Sequence, residues 1–375
     1  MHSIPTIQGT HGITGKPIEI RFEQGKIEQI KPLAGPSTVS SSILPPLIDL
    51  QVNGYGGVDF QQDGLTLEQM EHASLTLVRD GCAGYFATLI TCPWEQMLSR
   101  LQHLKQLRQS SSVLSRHLLG WHLEGPFLSE EPGFSGAHDA CCMLDPTIEH
   151  LLAIKAITQD DPCLLTLAPE RPGSMPFIQE AQKLGIKVSL GHTNASNTTL
   201  NEAHIAGATG FTHLGNACPQ ALDRHDNILV RALDPACWIT GLIPDGIHVS
   251  PALFRLLHRC IPSNQIYYTT DAMAAAGSPP GRYPLGNIEL EVGADQIVRH
   301  PGRSHFAGSA LKPVEGIQRA SRMLGCHWSQ LWKHVSTIPS EWMGLNLGLA
   351  IGAKALCTLA SEGSDGNLKL EVIAA

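Results

Sequence analysis

No uncharged apolar stretch in these 375 residues is long enough to cross a bilayer as a helix, so a helical membrane protein is excluded. No basic run offsets the net charge of −8, which argues against a nucleic-acid partner. The ten cysteines include no CxxC pair, and only Cys141 and Cys142 adjoin. That is no disulfide framework; scattered buried thiols in a reducing compartment fit better. The first residues, MHSIPTIQGTHG, lack a charged start followed by an apolar core, so no secretory leader is expected. Internal repeats and low-complexity linkers are absent too. These exclusions point to a cytoplasmic protein with a large core.

The length suits a (β/α)₈ barrel, which runs ~250 residues or more, with additions. Residues 17–33, PIEIRFEQGKIEQIKPL, place Ile18, Ile20 and Phe22 on one face and turn at Gln24-Gly25 into a second strand. From Pro45 the text changes to strands alternating with amphipathic helices. Strand exits are expected near positions 52, 90, 124, 168, 191, 214, 243 and 271, the eight that a closed parallel barrel requires. In 65–80, Leu67, Met70, Ser74, Leu77 and Val78 share one helical face, and Gly81 stands where a left-handed cap belongs. Trp94, Met97, Leu98, Leu101 and Leu104 repeat the pattern in 94–107. After about 345 short β-like segments return. The expected organisation is a small β-sandwich from 1–45 and 346–375, with the barrel, 46–345, inserted between them.

Chemistry in parallel barrels gathers at the carboxyl ends of strands. Three apolar runs, LLGWHLEGP (118–126), KVSLGHTN (187–194) and GFTHLGNA (210–217), end on Glu124, His192 and His213. One carboxylate and two imidazoles from three strands make a three-ligand set with an open position, as a catalytic metal needs. Asp271 ends another strand, QIYYTTDA (265–272). At the end of LIDLQVNGYGG (47–57), Gln51 and Asn53 are poor transition-metal ligands and suit a hydrogen bond to water or substrate. Asp245 and His248 leave the seventh strand, and Asn216 and Arg224 follow the sixth. Arginine's fork suits phosphate. His138 lies shortly after Glu124, and HFAGSALKP (305–313) is a small-residue loop able to pass close to a ligand.

The ordered segments DLQVNGYGG, GWHLEGPF, SLGHTNAS, THLGNACP, PDGIHV, TTDAMAAAG and AGSAL resemble the N-acetylglucosamine-6-phosphate deacetylase family of the amidohydrolase superfamily. The resemblance spans nearly the whole chain and implies a (β/α)₈ barrel with a small β-sandwich built from both termini. It implies that Glu124, His192 and His213 bind one divalent ion per subunit, zinc foremost, with iron, cobalt and manganese as alternatives. It makes Asp271 the proton carrier and His138 a group that polarises the scissile carbonyl. Asn216, Ala217, Arg224 and His248 match positions that hold the sugar phosphate. Ala137 and the run Phe306, Ala307, Gly308 and Ser309 match substrate-contacting positions. A homodimer is implied, with the arginine matched by Arg224 reaching the neighbouring subunit's site.

Gln51-x-Asn53 stands where many amidohydrolases carry His-x-His, and the fourth strand ends in Ala168-Pro169-Glu170 without a metal-bridging lysine. Both departures favour a single metal. Arg224 is flanked by Asp223 and His225-Asp226 where the family has Gly and Glu-Pro-Gly, and a short insertion precedes His138. The expected reaction is hydrolysis of the acetamide of N-acetylglucosamine-6-phosphate, or of its galactosamine epimer. A cyclic amidohydrolase of the dihydroorotase or hydantoinase kind and a non-catalytic binding barrel are the competing readings.

Overall fold

A computed structural model describes residues 6–34, 41–235, 237–301 and 308–375. Eight parallel strands follow one another around a barrel: Ile48–Val52, Gly84–Ile90, Leu118–Glu124, Cys163–Leu167, Lys187–Leu190, Gly210–Phe211, Ile239–Leu242 and Ile266–Tyr268. All eight expected exits lie within three residues of these strand ends. The strands read as continuous apolar or β-branched runs because helices cover one face and barrel side chains fill the other. Gly84–Ile90, GYFATLI, is buried at every position.

The helix Leu67–Arg79 starts at a capping box formed by Thr66 and Gln69, and buries Met70, Ser74 and Leu77. Gly81 then turns with φ of 92°, and an added Cβ would meet Leu370 at 2.6 Å. Only glycine lets this corner pass so close to the terminal strands. The helix Trp94–Ser110 buries Met97, Leu101 and Leu104 as its periodicity predicts.

The first and last barrel strands share no extended ladder. One parallel bridge joins Val52 to Ala272, and the Asn53 N–H donates to the Ala272 carbonyl at 2.7 Å. Below that bridge the carboxylate of Asp49, buried in the barrel, takes the place of backbone pairing. It accepts the Thr270 N–H at 3.0 Å, the Thr270 hydroxyl at 2.6 Å, and the Thr269 hydroxyl. Its loss would leave those donors buried and unpaired. Asp49→Ala is therefore expected to destabilise the protein by about 3 kcal/mol. The urea midpoint of metal-free protein measures this, and an unchanged midpoint would show that the Val52–Ala272 bridge alone closes the barrel.

Both chain ends contribute to one six-stranded sheet, ordered Leu368–Ala374, Leu356–Glu362, Ser42–Leu44, Thr6–His11, Pro17–Glu23, Lys26–Pro32. Every pairing is antiparallel except that of Thr6–His11 with Ser42–Leu44. Ile18, Ile20 and Phe22 face its separate core, and Gln24 and Gly25 make the left-handed turn that the sequence implies. A further three-stranded sheet, Gly281–Leu285, Ile288–Val292 and Val298–Arg299, was not anticipated. It follows Asp271 and leans over the rim. The thiols are less uniformly buried than expected, since Cys141 and Cys260 are exposed.

Candidate active site

A cavity of about 600 Å³ opens at the carboxyl ends of the barrel strands. Glu124, the last residue of the third strand, lies at its floor. Its Oε1 stands 2.8 Å from His213 Nε2 and 3.2 Å from His192 Nε2. Ligand atoms of these three buried residues all fall within 4.8 Å of one another, the one such cluster among the described residues. Donors around a tetrahedral ion with ~2.0–2.1 Å bonds sit roughly 3.3 Å apart, so the set fits a metal with little rearrangement. His192 Nδ1 pairs with the Phe134 carbonyl at 2.8 Å, which puts the ring proton there and leaves Nε2 free to ligate.

The charges agree. Burial pushes the Glu124 carboxyl up, but the adjoining imidazoles of His192 and His213 win and hold it well below the usual range. Burial likewise works against a charged His213, yet Glu124 raises its pKa overall. A cation bound by these ligands would release any proton they hold.

Asp271 faces the cluster across the cavity. Asn53 Nδ2 donates to its Oδ1 at 2.7 Å, so the amide expected to meet water or substrate orients the aspartate. Burial, and then the charge of Glu124, pushes Asp271 up to about 7. The Gln51 amide is buried with no hydrogen-bond partner among the described residues. His192, His213, Ala217 and Asp271 hold φ of 51°, 30°, 50° and 51°. Non-glycine residues rarely adopt this left-handed backbone, and its concentration around one cavity is typical of a functional site.

His138 also enters, its Nε2 at 3.8 Å from Glu124 Oε2. Burial and then the nearby His192 lower its pKa to about 3, leaving a neutral ring. Sequence reasoning missed Thr91. Its N–H donates to His138 Nδ1 at 3.3 Å and its hydroxyl lies 2.9 Å from the same nitrogen. A lone pair on Nδ1 places the ring proton on Nε2, facing the cavity. Thr91 directly follows the second strand, so its strand-exit position was the available signal. Glu170 was read only as a missing lysine. It accepts from Thr193 Oγ1 and, at 2.8 Å, from the Asn194 N–H, so it braces the loop that carries His192.

Asn216, Ala217 and His248 line the cavity on the side of the sixth and seventh strands, and His248 Nδ1 pairs with Asp245 Oδ2 at 2.6 Å. Ala137 and Gly308 line it as well. Ser309 sits behind Gly308, with its hydroxyl donating to the Thr270 carbonyl at 2.5 Å. Arg224 is exposed and does not reach the cavity of its own chain. Phe306 and Ala307 lie outside the described residues.

A parallel barrel with a Glu–His–His cluster and an aspartate at its strand exits defines a hydrolase of the amidohydrolase class. The chain is 30% identical over 305 residues to the N-acetylglucosamine-6-phosphate deacetylase of Vibrio furnissii, covering 81% of this chain and 74% of the relative. It is 32% identical over 317 residues to the mouse enzyme of that name, covering 81% and 75%. The N-acetylglucosamine-6-phosphate deacetylase of Pasteurella multocida superposes with a TM-score of 0.82 at 26% identity, covering 94% of this chain and 92% of that one. No family model matches the sequence. The chain belongs to the N-acetylglucosamine-6-phosphate deacetylase family.

Proposed function

We propose that this enzyme hydrolyses the acetamide of N-acetylglucosamine-6-phosphate to glucosamine-6-phosphate and acetate. The observation that carries the reading is the buried Glu124–His192–His213 cluster facing Asp271 across one cavity. Family membership supplies the substrate class. A solved relative from Mycobacterium smegmatis, 25% identical with a TM-score of 0.83, is a deacetylase variant in complex with that phosphosugar. An Escherichia coli relative, 28% identical over 331 residues, is named for the galactosamine epimer.

In this reading Glu124, His192 and His213 hold one divalent ion, zinc foremost. When bound, the ion polarises the amide carbonyl and lowers the pKa of water at its open position. His138 donates a hydrogen bond from its Nε2–H to the carbonyl oxygen as negative charge develops there. Asp271, held by Asn53, accepts the proton of the attacking water and returns it to the departing amine. His248, Asn216 and the left-handed Ala217 seat the phosphate, which orients the acetamide. The subunit works as a cytoplasmic homodimer, and the exposed Arg224 serves the neighbouring copy's site. Residues 46–345 form the catalytic unit in this scheme, and 1–45 with 346–375 the small β domain.

Acetate release tests the substrate. N-acetylglucosamine-6-phosphate should be turned over, its galactosamine epimer reports the alternative, and the unphosphorylated sugar should react poorly. Activity independent of the phosphate would overturn the reading. Elemental analysis of metal-replete protein is expected to give one tightly held ion per chain, and two strong sites would sink the mononuclear scheme. Arg224→Ala should weaken binding of the phosphosugar by about 1.5–3 kcal/mol and barely affect the unphosphorylated sugar. An equal loss on both would assign Arg224 to folding or to the dimer contact.

A further inference from the structure

A second cavity of about 290 Å³ lies behind one wall of the catalytic cavity. Ile90, Ala137, His138 and Leu285 line both, and so form the partition between them. Ile90 ends the second barrel strand, whereas Leu285 ends the first strand of the inserted sheet. They are only 8% and 3% exposed. Both belong to an apolar cluster with Met273 that is separate from the main barrel core. One short segment fixes the two sides. Gln61 Oε1 accepts the Ile90 N–H at 3.0 Å. Asp59 accepts the N–H of Gly286, next to Leu285, at 2.9 Å and that of Gln61 at 3.0 Å. A partition anchored on both sides in this way does not yield easily to a bulky group.

The orientation of the bound amide decides what meets it. The carbonyl oxygen belongs between His138 Nε2 and the Glu124–His192–His213 cluster, with its carbon toward Asp271. The amide nitrogen leads into the sugar, which must run toward Asn216 and His248. The remaining substituent, the acyl chain, then points across the barrel toward the second strand, four strands round from the sixth, where Ile90 stands with Ala137 and Leu285 in the cavity lining. We propose that Ile90 and Leu285 set the length of the acyl group this enzyme removes, and that the cavity behind them takes a longer chain once the partition is trimmed. This rests on the deacetylase reading above. An acetyl group ends at the partition; a butanoyl group has to pass it.

The test compares N-acetyl-, N-propanoyl- and N-butanoylglucosamine-6-phosphate on wild-type protein, Leu285→Ala and Ile90→Ala. One methylene in an apolar pocket changes kcat/KM by about tenfold or more, so wild type should favour acetyl over butanoyl by roughly a hundredfold. Either truncation should lower acetyl turnover and raise the butanoyl-to-acetyl ratio by about tenfold or more. Leu285→Phe should act in reverse and lose propanoyl first. Glucosamine-6-phosphate, which has no acyl group, should inhibit wild type and every variant to the same extent, which reports an intact fold and phosphate seat. If a truncation unfolds the chain, Leu285→Val and Ile90→Val are read the same way with smaller shifts. An unchanged ratio with inhibition intact overturns the partition alone. A wild-type protein inactive on all three sugars overturns the deacetylase reading and the partition with it.

Discussion

Replacing Asp271 by asparagine is expected to lower kcat by about a hundredfold or more while bound metal stays in place. The amide keeps the shape and the contact with Asn53 but cannot take a proton from water. Metal content measured beside turnover separates this from a ligand defect, and retention of most activity would move the general base elsewhere. The pH dependence follows from the carboxyl being pushed up to about 7 by burial and by Glu124. Catalysis needs the ionised form, so kcat/KM falls as the pH drops through that carboxyl's pKa. A bound cation offsets the charge of Glu124, which places the acid limb below 7 in metal-replete enzyme. Stability runs in the opposite sense. A raised carboxyl pKa means the folded state binds the proton more tightly, so stability declines as pH rises from the ordinary aspartate range toward 7. Metal-free Asp271→Asn should therefore melt higher than metal-free wild type at pH ~8.

Glu124→Gln should be more severe. It removes the only anionic donor from the cluster and leaves an amide that holds a divalent ion weakly. Losing the ion forfeits several kcal/mol of transition-state stabilisation, roughly a thousandfold in rate or more. Elemental analysis should find the metal gone, and added zinc should restore little turnover. A second readout needs no metal. The pKa of His213 is raised chiefly by Glu124 acting against burial, so its NMR titration in metal-free protein should move down in the variant. Turnover and metal content both close to wild type would place the centre elsewhere.

Much of this site was legible in the sequence because a barrel strand announces where it ends. Glu124, His192, His213 and Asp271 each follow an apolar run, and the structure gathers them at one rim. Asn53 was legible as a polar strand-end residue, though not its partner. The features that escaped depend on contacts made far along the chain. Asp49 meets Thr270 across 221 residues, and nothing local distinguishes it from an ordinary strand aspartate. Thr91 matters only because a loop 47 residues on brings His138 back to it. The inserted sheet carries short alternating segments that are easily read as barrel connection, and Leu285 acquires meaning only once Ile90 is seen beside it. Arg224 stood out in the sequence as a candidate for phosphate, and its own chain does not bring it to the cavity.

The left-handed backbone at His192, His213 and Asp271 bears on how such a chain could drift. Glycine and asparagine adopt that conformation more readily than most side chains. Exchanging these residues for them relaxes the polypeptide where it is most contorted, while Asp49, the apolar strands and the helix caps continue to hold the barrel. Backbone conformation therefore exerts little restraint on which residue is kept there, although the buried Glu124 carboxylate needs its imidazole partners for as long as it is present. A lineage that lost Glu124, both histidines and Asp271 together could still make a folded barrel. For such a barrel, a high melting point does not by itself show that an individual member is an enzyme.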